Sequence, residues 1–127
     1  MRIDDIKAGP FMDALIAEKI LGWKQHLMVD SMTTPSIVYC GRCGKTDVGN
    51  TFCEPNYEAP AFSTDILKAL GVLNLQKYGA YSIFVNGDYV SVEVQDHYAD
   101  GIDNGIEDIP VIACRALLKA ALGYEYI

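Results

Sequence analysis

The sequence lacks any run of basic residues and any long hydrophobic run. Ten Lys and Arg are scattered singly among 17 Asp and Glu, and the formal net charge is −7. Binding a nucleic-acid duplex needs several cations on one face, so we expect no duplex partner. No stretch approaches the roughly twenty apolar residues of a membrane span. The N-terminal "MRIDDIKAGP" has acidic residues where a signal peptide has an apolar core. We therefore expect a cytoplasmic protein without a membrane partner.

The residue sets that carry common enzymatic chemistry are also missing. There is no Ser/His/Asp or Cys/His set, no phosphate-binding glycine loop and no evident carboxylate pair. One of the two histidines, His97, follows Asp96, but neighbours on an extended chain point in opposite directions, so Asp96 is poorly placed to orient it. We therefore expect a protein that is not an enzyme.

Cysteine, by contrast, is concentrated in one loop, "CGRCGKTDVGNTFC", over residues 40–53. Thiols stay reduced in the cytoplasm, and Cys40, Cys43 and Cys53 offer three soft ligands for a zinc ion. His26, on the strand before the loop, is the best candidate for a fourth ligand. A structural zinc is favoured over a catalytic one because three thiolates quench the Lewis acidity of the metal; free thiols are the alternative. Weaker candidates for the fourth ligand are His97, Asp47, Glu54 and a water molecule.

Hydrophobic spacing predicts three helices. The first covers about residues 10–21. The second opens at Ser63–Asp65, continues through Gly71 and ends at Gly79. The third covers "IPVIACRALLKAALG", with Asp108 as its cap. Gly71 costs about 1 kcal/mol against Ala, so either something packs closely there or the helix is imperfect.

Two hairpins are predicted between the helices. The first pairs "KQHLMVD" with "PSIVYC". The second is "YSIFVNGDYVSVEV", in which Asn86-Gly87 indicates a type I′ turn that sets Phe84 opposite Tyr89. Its core face then carries Tyr81, Ile83, Val90 and Val92. The segment "QDHYADGIDNGIED" is predicted to be an acidic loop. The resulting order is α-β-β-α-β-β-α in a single domain over residues 1–127, an α+β fold in which helices cover antiparallel hairpins as a sandwich.

Three segments, "MDALIAEKILGWK" (12–24), "FSTDILKAL" (62–70) and "IPVIACRALLKAAL" (109–122), occur in order at the expected separations. Together they resemble the phage ABA sandwich family of small bacteriophage and prophage proteins. Phe62 stands where that family has Tyr, and Gly71 lies close to where it usually has Trp or Glu. The resemblance implies an α/β sandwich in the host cytoplasm. It implies no mechanism, since the family's activity is largely unassigned.

Two functions follow as hypotheses. In the first, an oligomer sequesters a nucleotide-derived immune signal: Trp23 stacks on the base, while Arg115 and the helix start at Ser63, Thr64 and Asp65 bind the phosphate. The structural alternatives are core packing for Trp23, helix capping for Ser63–Asp65 and a salt bridge for Arg115. In the second, a zinc-stabilised module binds a host or phage protein through the cysteine loop and the Phe84–Tyr89 face.

Overall fold

The computed structural model describes residues 1–75 and 79–127. Within them, the chain forms three α-helices, five strands and two short 3₁₀ turns. The helices are α1 (Pro10–Lys19), α2 (Ile66–Leu73) and α3 (Ile109–Leu122), and the strands are β1 (Met28–Asp30), β2 (Val38–Cys40), β3 (Tyr81–Asn86), β4 (Tyr89–Val94) and β5 (His97–Ile102). Strands β1 and β2 form one antiparallel sheet, and β3, β4 and β5 form another. The predicted α+β class is confirmed, and the order matches the prediction apart from one additional strand.

The core lies between α3 and the three-stranded sheet. α3 packs against β4 and β5 and so covers one face of the sheet, while α1 and α2 contact α3. Val90, Val92 and Val94 on β4 face this layer and are fully buried. α3 ends at Gly123, whose φ of 76° places it in the left-handed region that favours glycine at a helix C-terminus. None of the helices in the described part of the chain is long and apolar enough to cross a lipid bilayer.

Strand β5 corrects the prediction of an acidic loop over residues 95–108. β5 pairs antiparallel with β4, with Ala99 opposite Val92 and Gly101 opposite Val90. Both inward positions are small because α3 lies very close: a Cβ on Gly101 would be 3.1 Å from Cδ1 of Ile112. The sequence of β5 therefore lacks the alternating large apolar residues that indicate a strand, although the strand is present.

The second hairpin is confirmed, but the predicted register is wrong. Asn86 pairs with Tyr89 and Phe84 with Ser91, so the turn residues are Gly87 and Asp88. A positive φ occurs at Gly87, the first central position, as in a type II′ rather than a type I′ turn. The register differs from the prediction by two residues, and an even shift keeps every side chain on its predicted face.

Helix α2 is shorter than predicted. Asp65 is its N-cap, and one of its carboxylate oxygens accepts hydrogen bonds from the backbone N–H groups of Leu67 and Lys68. The helix ends at Leu73, and the predicted continuation to Gly79 includes residues 76–78, which lie outside the described residues. A Cβ on Gly71 would meet no heavy atom within 4 Å, so close packing does not account for this glycine.

Candidate metal centre

The β1–β2 hairpin places the first two cysteines of the loop. Cys40 ends β2 opposite Met28, and the next residue extends the ladder by donating from its N–H to the carbonyl of Leu27. The chain then reverses in a tight turn, in which the N–H of Gly44 donates to the carbonyl of Cys40 at 2.8 Å. Because only Gly41 and Arg42 separate the two cysteines in this turn, the thiols of Cys40 and Cys43 lie on the same side of the turn.

The third cysteine reaches the turn through a separate backbone contact. Lys24 and Glu54 form an isolated antiparallel bridge, and the N–H of Cys53 donates to the carbonyl of Lys24 at 2.8 Å. This bridge brings Cys53 beside the segment that leads into β1. His26 lies in that segment, two residues before β1 begins, and not on the strand as the sequence suggested. The backbone alone therefore brings all four predicted ligands together.

Two pairs of the four ligand atoms are separated by the distances of a tetrahedral zinc site. All of them lie within 4.8 Å of one another. The Sγ atoms of Cys40 and Cys53 are 3.9 Å apart, and Sγ of Cys43 is 3.5 Å from Nδ1 of His26. With Zn–S of about 2.3 Å and Zn–N of about 2.0 Å, tetrahedral geometry requires about 3.8 Å between two sulfurs and about 3.5 Å between sulfur and nitrogen. These two pairs match a site for one ion.

Thr51 fixes which nitrogen of His26 faces the cysteines. Nε2 of His26 is 3.1 Å from the hydroxyl of Thr51, and that hydroxyl donates its proton to the carbonyl of Val48. The oxygen of Thr51 therefore accepts from His26, and Nε2 carries the proton. Nδ1 is left with its lone pair directed at Cys43, which is the tautomer that binds a metal. Sequence reasoning missed Thr51, because nothing in the spacing links it to His26.

Burial and hydrogen bonding act in opposite directions on the Cys40 thiol. Burial alone raises its pKa, but hydrogen bonds from the backbone of Cys43 and Arg42 outweigh burial and lower the pKa below that of a free thiol. Burial and the neighbouring thiols together raise the pKa of Cys53 to about 11. In the absence of metal the site therefore favours one thiolate, at Cys40, with a protonated Cys53 beside it.

The site has the composition of a structural metal centre. Three sulfurs and one nitrogen complete a tetrahedron and leave no open position for a substrate. No other group of metal-ligating side chains occurs among residues 1–75 and 79–127. The centre is also joined to the core: Phe52, which precedes Cys53, is buried and contacts the ring of Trp23 edge-on at 5.5 Å between centroids.

The predicted nucleotide-binding residues have partners within the protein. Trp23 packs on Phe52. Ser63 is buried, with its hydroxyl accepting from the N–H of Gly9 and donating to the carboxylate of Asp13.

At the start of α2, Thr64 is exposed, while Asp65 occupies two of the helix N-terminal amides that a phosphate would need. Arg115 lies on α3, where its guanidinium donates twice to the carbonyl of Ile6, at 2.8 and 3.1 Å; the expected carboxylate partner is replaced by a backbone oxygen. Each of these contacts fits the structural alternative for its residue, and the nucleotide-binding role stays a prediction.

The fourth cysteine, Cys114, lies outside the group of candidate metal ligands. Cys114 is buried in α3, and burial raises the pKa of its thiol.

Comparisons with protein-family models, curated proteins and solved structures find no match to this chain. The resemblance to the phage ABA sandwich family therefore stays a prediction, and the metal centre rests on geometry alone.

Proposed function

We propose that the protein is a non-catalytic interaction module whose β1–β2 hairpin and cysteine loop are held in place by a structural zinc ion. The observation that supports this is the convergence of four ligand atoms, from His26, Cys40, Cys43 and Cys53, within 4.8 Å of one another. If the resemblance to the phage ABA sandwich family holds, the partner is a host or phage protein in the host cytoplasm.

A metal is needed here because the hairpin has few stabilising contacts of its own. Its two strands have three residues each, and an isolated two-stranded hairpin is marginally stable in water. Of the six strand residues, Cys40 alone is fully buried. Zinc bound through Cys40 and Cys53 would join the hairpin to the segment carrying Phe52, and so to the core. The free energy of metal binding then becomes free energy of folding for this region.

The segment held by the zinc presents an apolar surface. Several exposed side chains at the hairpin are large and hydrophobic, and Met32, at its tip, is 88% exposed. Exposed apolar surface is typical of protein-binding sites. This supports a protein partner in preference to a small ligand. The other members of the surface are Leu27, Met28, Ile37 and Val38.

Native mass spectrometry beside a denatured control tests the zinc proposal. We expect one zinc per chain in the native protein, lost in Cys40→Ser and Cys43→Ser but retained in Cys114→Ser. A pull-down from host lysate should then capture a partner with the wild type and Cys114→Ser, and fail with the two loop variants. Metal-free native protein would contradict the zinc proposal, and equal capture by all four proteins would contradict the role of the loop.

The nucleotide-sequestration hypothesis is a second prediction that a simple measurement tests. No contact of Trp23, Ser63 or Arg115 in the described residues favours it over a structural role. A thermal-shift panel with mono-, di- and cyclic nucleotides would support it if one compound raised the melting temperature, and would reject it if none did.

A further inference from the structure

The net charge of the protein is confined to one part of the chain. Seven of the 17 acidic residues and none of the ten Lys and Arg lie in residues 79–114, so this segment alone carries the whole formal charge of −7. It comprises β3, β4, β5 and the 3₁₀ turn before α3. The rest of the chain is electrically balanced. The segment that forms the three-stranded sheet therefore carries an excess of negative charge.

One face of that sheet carries large apolar side chains that the described residues leave uncovered. α3 covers the opposite face. On the open face, Phe84 is 56% exposed and Ile102 is 72% exposed. On β4, which lies between them, Phe84 pairs with Ser91 and Ile102 pairs with Tyr89. We call this surface the acidic sheet face. It consists of Phe84, Tyr89, Glu93, Tyr98, Asp100 and Ile102, which the strand register places on one side.

The two acids within this surface lie close to its aromatic rings. Asp100 accepts a hydrogen bond from the hydroxyl of Tyr89 at 3.2 Å, and Tyr89 packs edge-on against Phe84 with ring centroids 6.1 Å apart. Glu93 pairs across the ladder with Tyr98. Carboxylates beside exposed rings suit a cation on an aliphatic stem, since the rings contact the stem or the cation while the carboxylate pairs with the charge.

A second copy of this chain fits the surface poorly. Face-to-face pairing about a two-fold axis would bring Glu93 and Asp100 of both copies into one interface. Among the described residues neither carboxylate forms an ion pair with Lys or Arg, and the two cations that line a pocket with Asp100, Arg2 and Lys119, are paired with Asp4. Like charges within an interface oppose association. Charge complementarity therefore points to a basic occupant.

We propose that the acidic sheet face binds a segment of a partner protein that carries alternating Lys or Arg and apolar residues. The apolar side chains of that segment pack on Phe84 and Ile102, and its cations pair with Glu93 and Asp100. This deepens the proposed interaction function, on which it rests, by assigning a surface and a partner chemistry. It does not depend on zinc, because none of the metal ligands lies on this sheet.

The probe is a short fluorescein-labelled peptide in which Lys and Leu alternate, titrated with full-length, zinc-loaded protein and followed by fluorescence anisotropy. Glu93→Gln combined with Asp100→Asn should weaken binding about five-fold, as expected for two partly screened ion pairs. The matched control is Asp5→Asn with Glu58→Gln, which changes the net charge equally at exposed positions outside the sheet.

Phe84→Ser should weaken binding about ten-fold, as for an aromatic residue at the centre of an interface. Its control is Phe11→Ser, which removes a ring of similar exposure, 55%, from α1. Melting curves and zinc content of each variant show whether the fold and metal centre are intact. These readouts separate failure of this inference from failure of the zinc proposal.

The inference is supported if the two sheet variants bind weakly and both controls bind within about two-fold of the wild type. It is overturned if the Asp5/Glu58 variant weakens binding as much as the Glu93/Asp100 variant, because the effect is then one of net charge alone. Equal binding of a peptide with Glu in place of Lys, or with Ser in place of Leu, also overturns it. So does a wild-type dimer in sedimentation experiments that Phe84→Ser converts to monomer, since the occupant is then a second copy.

Discussion

Replacing Thr51 by Val removes one hydroxyl and tests how the metal centre is built. The side chain keeps its shape, but the acceptor for the Nε2 proton of His26 is lost. In the wild type that hydrogen bond holds the imidazole ring in place and leaves Nδ1 free to bind the metal, 3.5 Å from Sγ of Cys43. Without it the ring can rotate, and the tautomer is no longer selected. We therefore expect weaker zinc binding by a protein that still folds.

The size of the effect follows from the role of a single supporting hydrogen bond. Loss of a partner that orients a ligating His typically costs about 10- to 100-fold in metal affinity, or about 1.4–2.7 kcal/mol. The three thiolates are unchanged, so Thr51→Val should still bind one zinc per chain at saturation. Competition with a chromophoric zinc chelator measures the dissociation constant, and a histidine NMR spectrum of the zinc-loaded protein reports the tautomer of His26.

Thr46→Val is the matched control, since Thr46 lies in the same loop and is exposed. It should bind zinc with wild-type affinity. If Thr51→Val binds zinc as tightly as the wild type, the orientation of His26 does not depend on Thr51. If both variants lose affinity equally, the loss reflects the loop's poor tolerance of Val and not the hydrogen bond to His26.

Two further predictions concern stability. Removing zinc with a chelator should speed amide hydrogen exchange in β1, β2 and residues 41–54 while β4 stays protected. At free zinc about 1,000 times the dissociation constant, the bound ion contributes about 4 kcal/mol to the stability of this region. Unchanged exchange would show that no metal holds the hairpin. Substituting Ala at two glycines should change the free energy of unfolding in urea in opposite directions. Gly71→Ala should stabilise the protein by about 1 kcal/mol, because the new Cβ has open space within a helix. Gly105→Ala should destabilise it by about 2 kcal/mol or more, because φ is +60° and the new Cβ would lie 2.8 Å from the carbonyl of Gly87. Equal effects of the two substitutions would contradict the different backbone roles assigned to these glycines.

The cluster of His26, Cys40, Cys43 and Cys53 was largely predictable because its residues are chemically distinctive. A Cys-x-x-Cys turn brings two thiols together by local geometry, and few other residues can serve the same ion. His26 could be predicted as the fourth ligand because the β1–β2 hairpin places the segment before β1 beside the cysteine loop. Thr51 could not be predicted, since a threonine in a loop has many possible roles. Its contact with His26 depends on how Lys24 and Glu54 pair, which no spacing rule specifies.

The parts of the fold that sequence reasoning missed depend on tertiary contacts. The inward positions of β5 are Ala99 and Gly101, small because α3 packs against them, so the strand carries no hydrophobic alternation. Lys119 resembles a surface residue in sequence, yet it is buried in α3, with its ammonium 2.8 Å from Asp4 and donating to the carbonyl of Tyr98. A buried cation of this kind is identified by its partners, one of them 115 positions away along the chain.

The two candidate binding surfaces are stabilised in different ways, and that difference makes them separable. The apolar hairpin has little core of its own, so its conformation depends on the proposed zinc ion and on the contact between Phe52 and Trp23. The acidic sheet face lies on strands whose other side is packed against α3, where Val90 and Val92 are fully buried. Hydrophobic burial holds the sheet whatever the state of the metal. If both proposals hold, loss of zinc should therefore abolish binding at the hairpin and leave binding of a basic segment at the sheet unchanged.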